Sequence, residues 1–434
     1  MSKFTKNDIY KLVDEEDVEF IRLQFCDILG KPKNLAITVS QLDRILNNEV
    51  EFDATPAAGF EACKGLVSLH PDLDTFQTYP WRPQTGKVAR MYCDVYCSDG
   101  KPFEGDSRRV LRRVMQEADK MGLTFDIRPD QEFFLFHTDD DGKPTTLTHE
   151  YAGCFDVAPL DLAENVRRDI ILTLEEMDME VIQSHHEISP AQHEIDIAEG
   201  RADRVADQVM TFRMVVKTIS QKHGLYATFM PKPLENRNGS AFSLHIVCRD
   251  ALGKNLFADN GQEPLSEMGK QFLAGVLAHM KGITLLTNPI VNSYKRLIPG
   301  FDAPTRISWS DDLADKKSVV HLQREGNSTE IELRNPDGVC NPYLAFAVIL
   351  AAGMDGIKKK MQLSPKAELD DSAEHEMLPE SINEAIDAYE EDPLIHEVLG
   401  DTIYTNYLNE KLREWKEFRS VVTNWELKKY LGIY

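Results

Sequence analysis

Ser184-His185-His186-Glu187-Ile188-Ser189-Pro190-Ala191-Gln192-His193-Glu194-Ile195-Asp196 sets two glutamates, three histidines and an aspartate around a single proline. Ser189 to Gln192 reads as a tight connection between two short strands, which folds Glu187 back toward Glu194. Two carboxylates held close repel unless a cation separates them. A hard divalent ion such as Mg²⁺ or Mn²⁺ suits oxygen ligands, whereas Zn²⁺ favours His and Cys in a closed tetrahedral site. The competing reading is a solvated acidic hairpin whose histidines are simply hydrogen-bonded.

Neighbouring strands extend the acidic surface. In RPDQEFFLF (128–136), Asp130 and Glu132 are two residues apart and share a face, with Gln131 and Phe133 on the other. In EIELRNPDG (330–338), Glu330, Glu332 and Arg334 repeat the pattern. If these strands line one cavity with the hairpin, carboxylates gather there with at least one arginine. Proteins seldom bury that much charge without ions or an anionic ligand.

The composition places the chain among globular proteins: 434 residues, 42% hydrophobic and 28% charged. Forty-nine basic against 72 acidic residues give a net charge of −23, which disfavours nonspecific binding to nucleic acid or an anionic membrane. The polar N-terminus lacks an apolar signal core, and the apolar run from Tyr343 to Met354 is too short to span a bilayer. Seven dispersed cysteines, at 26, 63, 93, 97, 154, 248 and 340, read as reduced thiols. A cytoplasmic location is expected.

Periodicity outlines the rest. Ile21, Leu23 and Phe25 mark a strand ending at the Gly30 turn, followed by strands over Leu35–Val39 and Val88–Cys97. Glu51 to Tyr79 has little periodicity and reads as an extended active-site-type loop or an interface segment. A boundary falls near Phe103 to Asp106, giving domains over 1–104 and 105–434. Beyond it come a helix from Ser107, a strand over Phe125–Phe136, helices over Leu162–Met177 and Ala202–Lys222, a strand over Ala227–Met230 and an apolar helix from Pro342. Residues 367–392 read as a solvated helix face or loop, and the C-terminal stretch with Trp415, Phe418 and Trp425 as amphipathic.

SHHEISPAQHEID, HGLYATFMPKP (223–233), NGS (238–240), VNSYKRLIPG (291–300), IELRNPDG (331–338) with NPYLAFAVILAAG (341–353), and Trp425-Glu426 follow one another as they do in the bacterial type I glutamine synthetases. The chain resembles that family along nearly its whole length. The resemblance implies an α+β fold, an N-terminal β-grasp domain and a catalytic domain with an antiparallel sheet and flanking helices, assembled as a dodecamer of two hexameric rings. It implies that ATP phosphorylates the γ-carboxylate of glutamate, after which ammonia attacks the acyl phosphate, with Mg²⁺ or Mn²⁺ offsetting the anionic repulsion. Carried over residue by residue, the first metal site falls on Glu132, Glu187 and Glu194. The glutamate clamp falls on Asn238 and Gly239 with Arg296 and Arg334. His185 and His245 match histidines near the phosphates, and Asp53 matches the aspartate that binds and deprotonates ammonium across a subunit boundary.

Several positions depart from the family's pattern. The second metal site takes Asp130, Ser243 and Glu332 in place of Glu, His and Glu, and NGSGMHxH has become NGSAFSLH. In WSDDLADKKSVVHLQRE (309–325) only Lys316 or Lys317 stands in for a phosphate arginine, with Lys317 taken as the phosphate ligand, and the second arginine position falls near Val320. Glu330 occupies a usually basic position. On the amine side Pro56 replaces a serine, Cys154 a tyrosine and Asp302 the flap glutamate, and the feedback arginine is missing near Ala62. The tyrosine-bearing loop used for adenylylation in one branch is absent around 360–378. Asp53, Asp302 and Arg296 are the expected catalytic groups. Two functions follow: an ATP-dependent ligase joining glutamate to ammonia or, given the altered pocket, another amine; or a catalytically silent paralogue that senses glutamate or partners another synthetase.

Overall fold

The alternating apolar residues of the N-terminal region become Val18–Cys26, the strand beside which the first sheet is organised. The computed structural model describes residues 3–61, 65–259, 263–325, 328–368 and 375–434. Ala62, Cys63 and residues 369–374 of the 360–378 segment lie outside them.

Val18–Cys26 pairs antiparallel with Pro32–Thr38 and parallel with Lys87–Cys97. Val67–Pro71 and Glu51–Phe52 continue the sheet, and Gln77–Thr78 joins Lys87–Cys97. Helices Lys6–Glu15 and Leu42–Leu46 cover its apolar face, where Ile21, Leu23, Ala89 and Met91 are fully buried. This is the β-grasp domain. The strand Val67–Pro71 corrects the reading of 51–79 as an extended loop or interface segment: Val67 and Leu69 enter the core, and Leu69 lies opposite Val95.

The second sheet runs in the order Arg306–Ser310, Ser318–Glu325, Ser328–Leu333, Phe242–Arg249, Thr124–His137, Gln192–Ile197, Val181–His186. Gly200–Arg201 and Leu225–Thr228 also pair with Thr124–His137. Only Arg306–Ser310 against Ser318–Glu325 is parallel, so this sheet is mainly antiparallel. Phe125, Ile127, Leu244 and Ile246 face the helices Ser107–Lys120, Ala202–Lys222 and Pro342–Lys359, which form the main core. Strand alternation therefore puts Asp130, Glu132, Ser243 and His245 on the opposite face.

The two domains are tied by Arg108. Its buried guanidinium bonds Asp207 at 2.7 and 2.9 Å, Asp94 at 2.8 Å and Asp72 at 2.7 Å. Asp72 is held down to about 2: burial opposes its charge, and Arg108, Arg112 and Arg204 outweigh that cost.

Candidate active site

The hairpin forms as its sequence suggests: Val181–His186 pairs antiparallel with Gln192–Ile197. The Glu187 amide donates to the Gln192 carbonyl at 2.8 Å, the Gln192 amide to Ser189 at 3.1 Å, and Ala191 takes a left-handed φ of 64°. Register then delivers the acids. Glu132 lies directly opposite Glu194, and Glu194 opposite His185. Glu132, Glu187 and Glu194 present oxygens within 4.8 Å of one another.

Burial, and then Glu187, push Glu132 up to about 8; burial, and then Glu132, raise Glu194 well above the carboxylate range. Burial, and then Asp130, raise Asp196 to about 6. An all-oxygen trio in which Glu132 and Glu194 resist ionisation fits a hard divalent cation, whose charge removes the repulsion. The trio is buttressed from behind. One Glu132 oxygen accepts from the Ala241 amide at 2.8 Å and from Gln192 Nε2 at 2.7 Å, and the same amide nitrogen of Gln192 donates to the Gly239 carbonyl at 3.0 Å. Gln192 is a site residue the sequence reading passed over, although it shares a strand face with Glu194 inside the quoted stretch.

The next acids along the sheet are engaged with the protein's own cations. Asp130 bonds Arg128 Nη1 and His245 Nε2, each at 2.8 Å, while Glu330 accepts from Arg128 Nη2 at 3.1 Å and lies 3.3 Å from His245 Nδ1. Burial opposes a charge on His245, but the bonds to Asp130 and Glu330 raise it to about 9. His245, expected beside phosphates, is thus enclosed between two carboxylates. Glu332 accepts from Gln323 at 2.9 Å and sits 3.9 Å from Arg334 Nε. Among the described residues Asp130 and Glu332 join no cluster of metal ligands.

Arg334 Nη2 approaches Asp302 at 3.3 Å, and Lys316 Nζ lies 3.5 Å from the same oxygen. Lys316, not Lys317, is the lysine that meets this edge; Lys317 is exposed, and its amide and carbonyl are used by Asp315 and Thr305–Arg306. Arg296 is 2% exposed and its Nη2 donates to the Asn335 and Pro336 carbonyls, so this nitrogen is committed to backbone. Among the described residues its Nε is a buried donor without a hydrogen-bond partner. Gly239 packs so closely that a Cβ there would lie 2.1 Å from the Pro231 carbonyl and 3.0 Å from Arg296 Cγ. Asn238 accepts from Ser189 Oγ at 3.0 Å. His185 Nε2 lies 2.7 Å from Glu187 and 3.8 Å from Glu194. Asp53 is exposed on the β-grasp domain and bonds Thr55.

Comparison with known proteins matches this architecture. A profile described as "Glutamine synthetase, catalytic domain" matches residues 104–430, and one described as "Glutamine synthetase, beta-Grasp domain" matches 17–98. The chain belongs to the glutamine synthetase family. It is 46% identical over 447 residues to the glutamine synthetase of Clostridium saccharobutylicum, covering 100% of both chains. It is 44% identical to that of Staphylococcus aureus strain MW2, covering 99% of each. A solved GmaS/ADP complex superposes with a TM-score of 0.89 at 29% identity, covering 98% of this chain and 99% of the other; GmaS without ligand gives 0.88. The chain is therefore an enzyme of the glutamine synthetase fold, related both to glutamine synthetases and to GmaS. Among the described residues no helix is long and apolar enough to cross a membrane.

Proposed function

We propose that this protein is an ATP-dependent ligase that activates the γ-carboxylate of glutamate as an acyl phosphate and couples it to an amine. The observation that carries the reading is the oxygen trio of Glu132, Glu187 and Glu194, buttressed by Gln192 and the Ala241 amide on the same sheet face as Arg334. Glu132, Glu187 and Glu194 would hold Mg²⁺ or Mn²⁺, which when bound supplies charge neutralisation for the meeting of two anions.

The protein's own groups divide the remaining work. Gly239 brings backbone close to the glutamate site, Asn238 borders it, and Arg334 orients a carboxylate with its forked guanidinium. Arg296 acts chiefly by fixing the 334–336 backbone on which Arg334 is carried. His185 and Lys316 face incoming phosphate, with Lys317 as an outer cation; His245 positions Asp130. Asp130 and Glu332 would take a second ion only after releasing Arg128 and Gln323, so that ion binds more weakly. Asp302, and Asp53 across a subunit boundary, are the bases for the amine. The rings of the family supply that boundary, and the cytoplasm supplies ATP and glutamate.

Pro56 and Cys154 each remove an oxygen that the family pattern has for ammonium, and Asp302 has a shorter reach than the family's glutamate, which favours an organic amine over ammonia. The test is phosphate release from Mg·ATP and glutamate across ammonia, primary amines, polyamines and amino alcohols, with product mass. Release that rises with an organic amine and yields its γ-glutamyl amide is the expected result. Release with ammonia alone overturns the amine assignment, and no release with any amine overturns the ligase reading.

A further inference from the structure

Cys154 lies on a turn whose backbone is tied down on both sides of it. The Gly153 amide donates to Asp156 Oδ2 at 2.8 Å, and the Asp156 amide returns to the Gly153 carbonyl at 3.2 Å. The next residue anchors the turn to the hairpin: the Phe155 amide donates to the His186 carbonyl at 3.0 Å, and the Phe155 ring packs on the His185 ring with centroids 4.8 Å apart. Cys154, His185 and Glu187 consequently present a sulfur, a nitrogen and an oxygen within 4.8 Å of one another.

We propose that Cys154, His185 and Glu187 form a binding site for a thiophilic divalent cation such as Zn²⁺, adjoining the magnesium trio and sharing Glu187 with it. A tetrahedral zinc ion with ligands at about 2.0–2.3 Å needs ligand atoms about 3.3–3.7 Å apart, so closure from the observed spacing takes roughly an ångström. His185 Nε2 already stands 2.7 Å from Glu187 Oε1, and the ion would replace that hydrogen bond with two coordinate bonds. Three protein ligands leave a fourth position open to water or an amine, the arrangement of an accessible zinc site. Softness separates the two sites: thiolate and imidazole select zinc, whereas the all-oxygen trio selects magnesium. Binding displaces the thiol proton to solvent, since a coordinated thiol is deprotonated. Because Glu187 cannot serve both ions fully, zinc opposes magnesium at the trio and acts as an inhibitor whichever amine is used.

The experiment titrates the full-length protein with Co²⁺ as a spectroscopic probe and with Zn²⁺ by calorimetry, in wild type, Cys154→Ser and Cys97→Ser. Wild type and Cys97→Ser show a thiolate-to-cobalt charge-transfer band, and Cys154→Ser loses it and binds Zn²⁺ at least tenfold more weakly. Cobalt bound by wild type without that band places the ion on the carboxylates alone and overturns the proposal, as does a band or zinc affinity unchanged in Cys154→Ser. Thermal unfolding of Cys154→Ser confirms that the variant is folded. These readouts need no turnover, so they stand or fall separately from the ligase assignment.

Discussion

His245 shows how a single residue differs between a motif and a fold. Its place in NGSAFSLH invites a phosphate-binding role, yet its imidazole is 2% exposed and held between Asp130 and Glu330. Its folded value near 9 exceeds the ordinary value of about 6.5, so its contribution to stability is complete below about pH 6.5 and is lost as pH rises through 9. Glu330, lowered to about 2 by its hydrogen bond with His245 despite burial, contributes above its ordinary value of 4.5 and loses that contribution toward pH 2. His245→Gln strands two acids with Arg128 alone. At about pH 6 it should lower unfolding free energy by about 3 kcal/mol, and urea titrations should show the gap from wild type closing as pH passes 9. The family resemblance puts His245 near the phosphates, but a motif cannot say that its neighbours there are acids rather than a ligand. Gln192 was overlooked for the converse reason: an uncharged amide carries no signal until its partners, Glu132 and Gly239, are brought to it from distant segments.

Elements were easiest to read where their pattern was long. The run NPYLAFAVILAAG is the helix Pro342–Lys359, opened by Asn341, whose side chain accepts from the Tyr343 and Leu344 amides. Short strands between turns, such as Val67–Pro71, gave too few alternations to register. Helix contact surfaces were not legible in the sequence either. Glu267–Ala278 and Pro342–Lys359 approach so closely that a Cβ on Gly275 would lie 2.2 Å from the Ala352 carbonyl, and one on Gly356 2.1 Å from the Gln271 carbonyl. These glycines serve close approach. Gly275→Ala must push the two helices apart and should cost about 1–3 kcal/mol, read as a lower denaturant midpoint with an unchanged slope.

At the scale of the whole molecule, the C-terminal end is left largely uncovered by the rest of the chain. Helix Asn424–Tyr430 buries none of its residues, and Trp425, Leu431, Ile433 and Tyr434 are 62 to 99% exposed. If the chain assembles in the rings that the family resemblance implies, a second copy would cover an apolar surface of that extent. Deleting residues 420–434 should leave the fold of the subunit intact, with unfolding free energy changed by no more than about 0.5 kcal/mol at matched oligomeric state, while light scattering reports a smaller assembly. An assembly of unchanged mass would show that the tail does not join subunits.

Local chemistry is written in the order of residues: the hairpin turn at Ser189–Gln192, the alternation that sends Asp130 and Glu132 to one face, and the succession of motifs that marks the family. Each depends on neighbours within a few positions, or on comparison of whole segments, so the chain alone carries it. Pairing between distant strands obeys no such local rule. Sheet register sets Glu132 opposite Glu194, and only tertiary packing commits Arg296 to the backbone at 335–336 and brings Cys154 to His185 and Glu187. Those contacts join residues 31 to 62 positions apart, and their partners are chosen by which faces must leave water together.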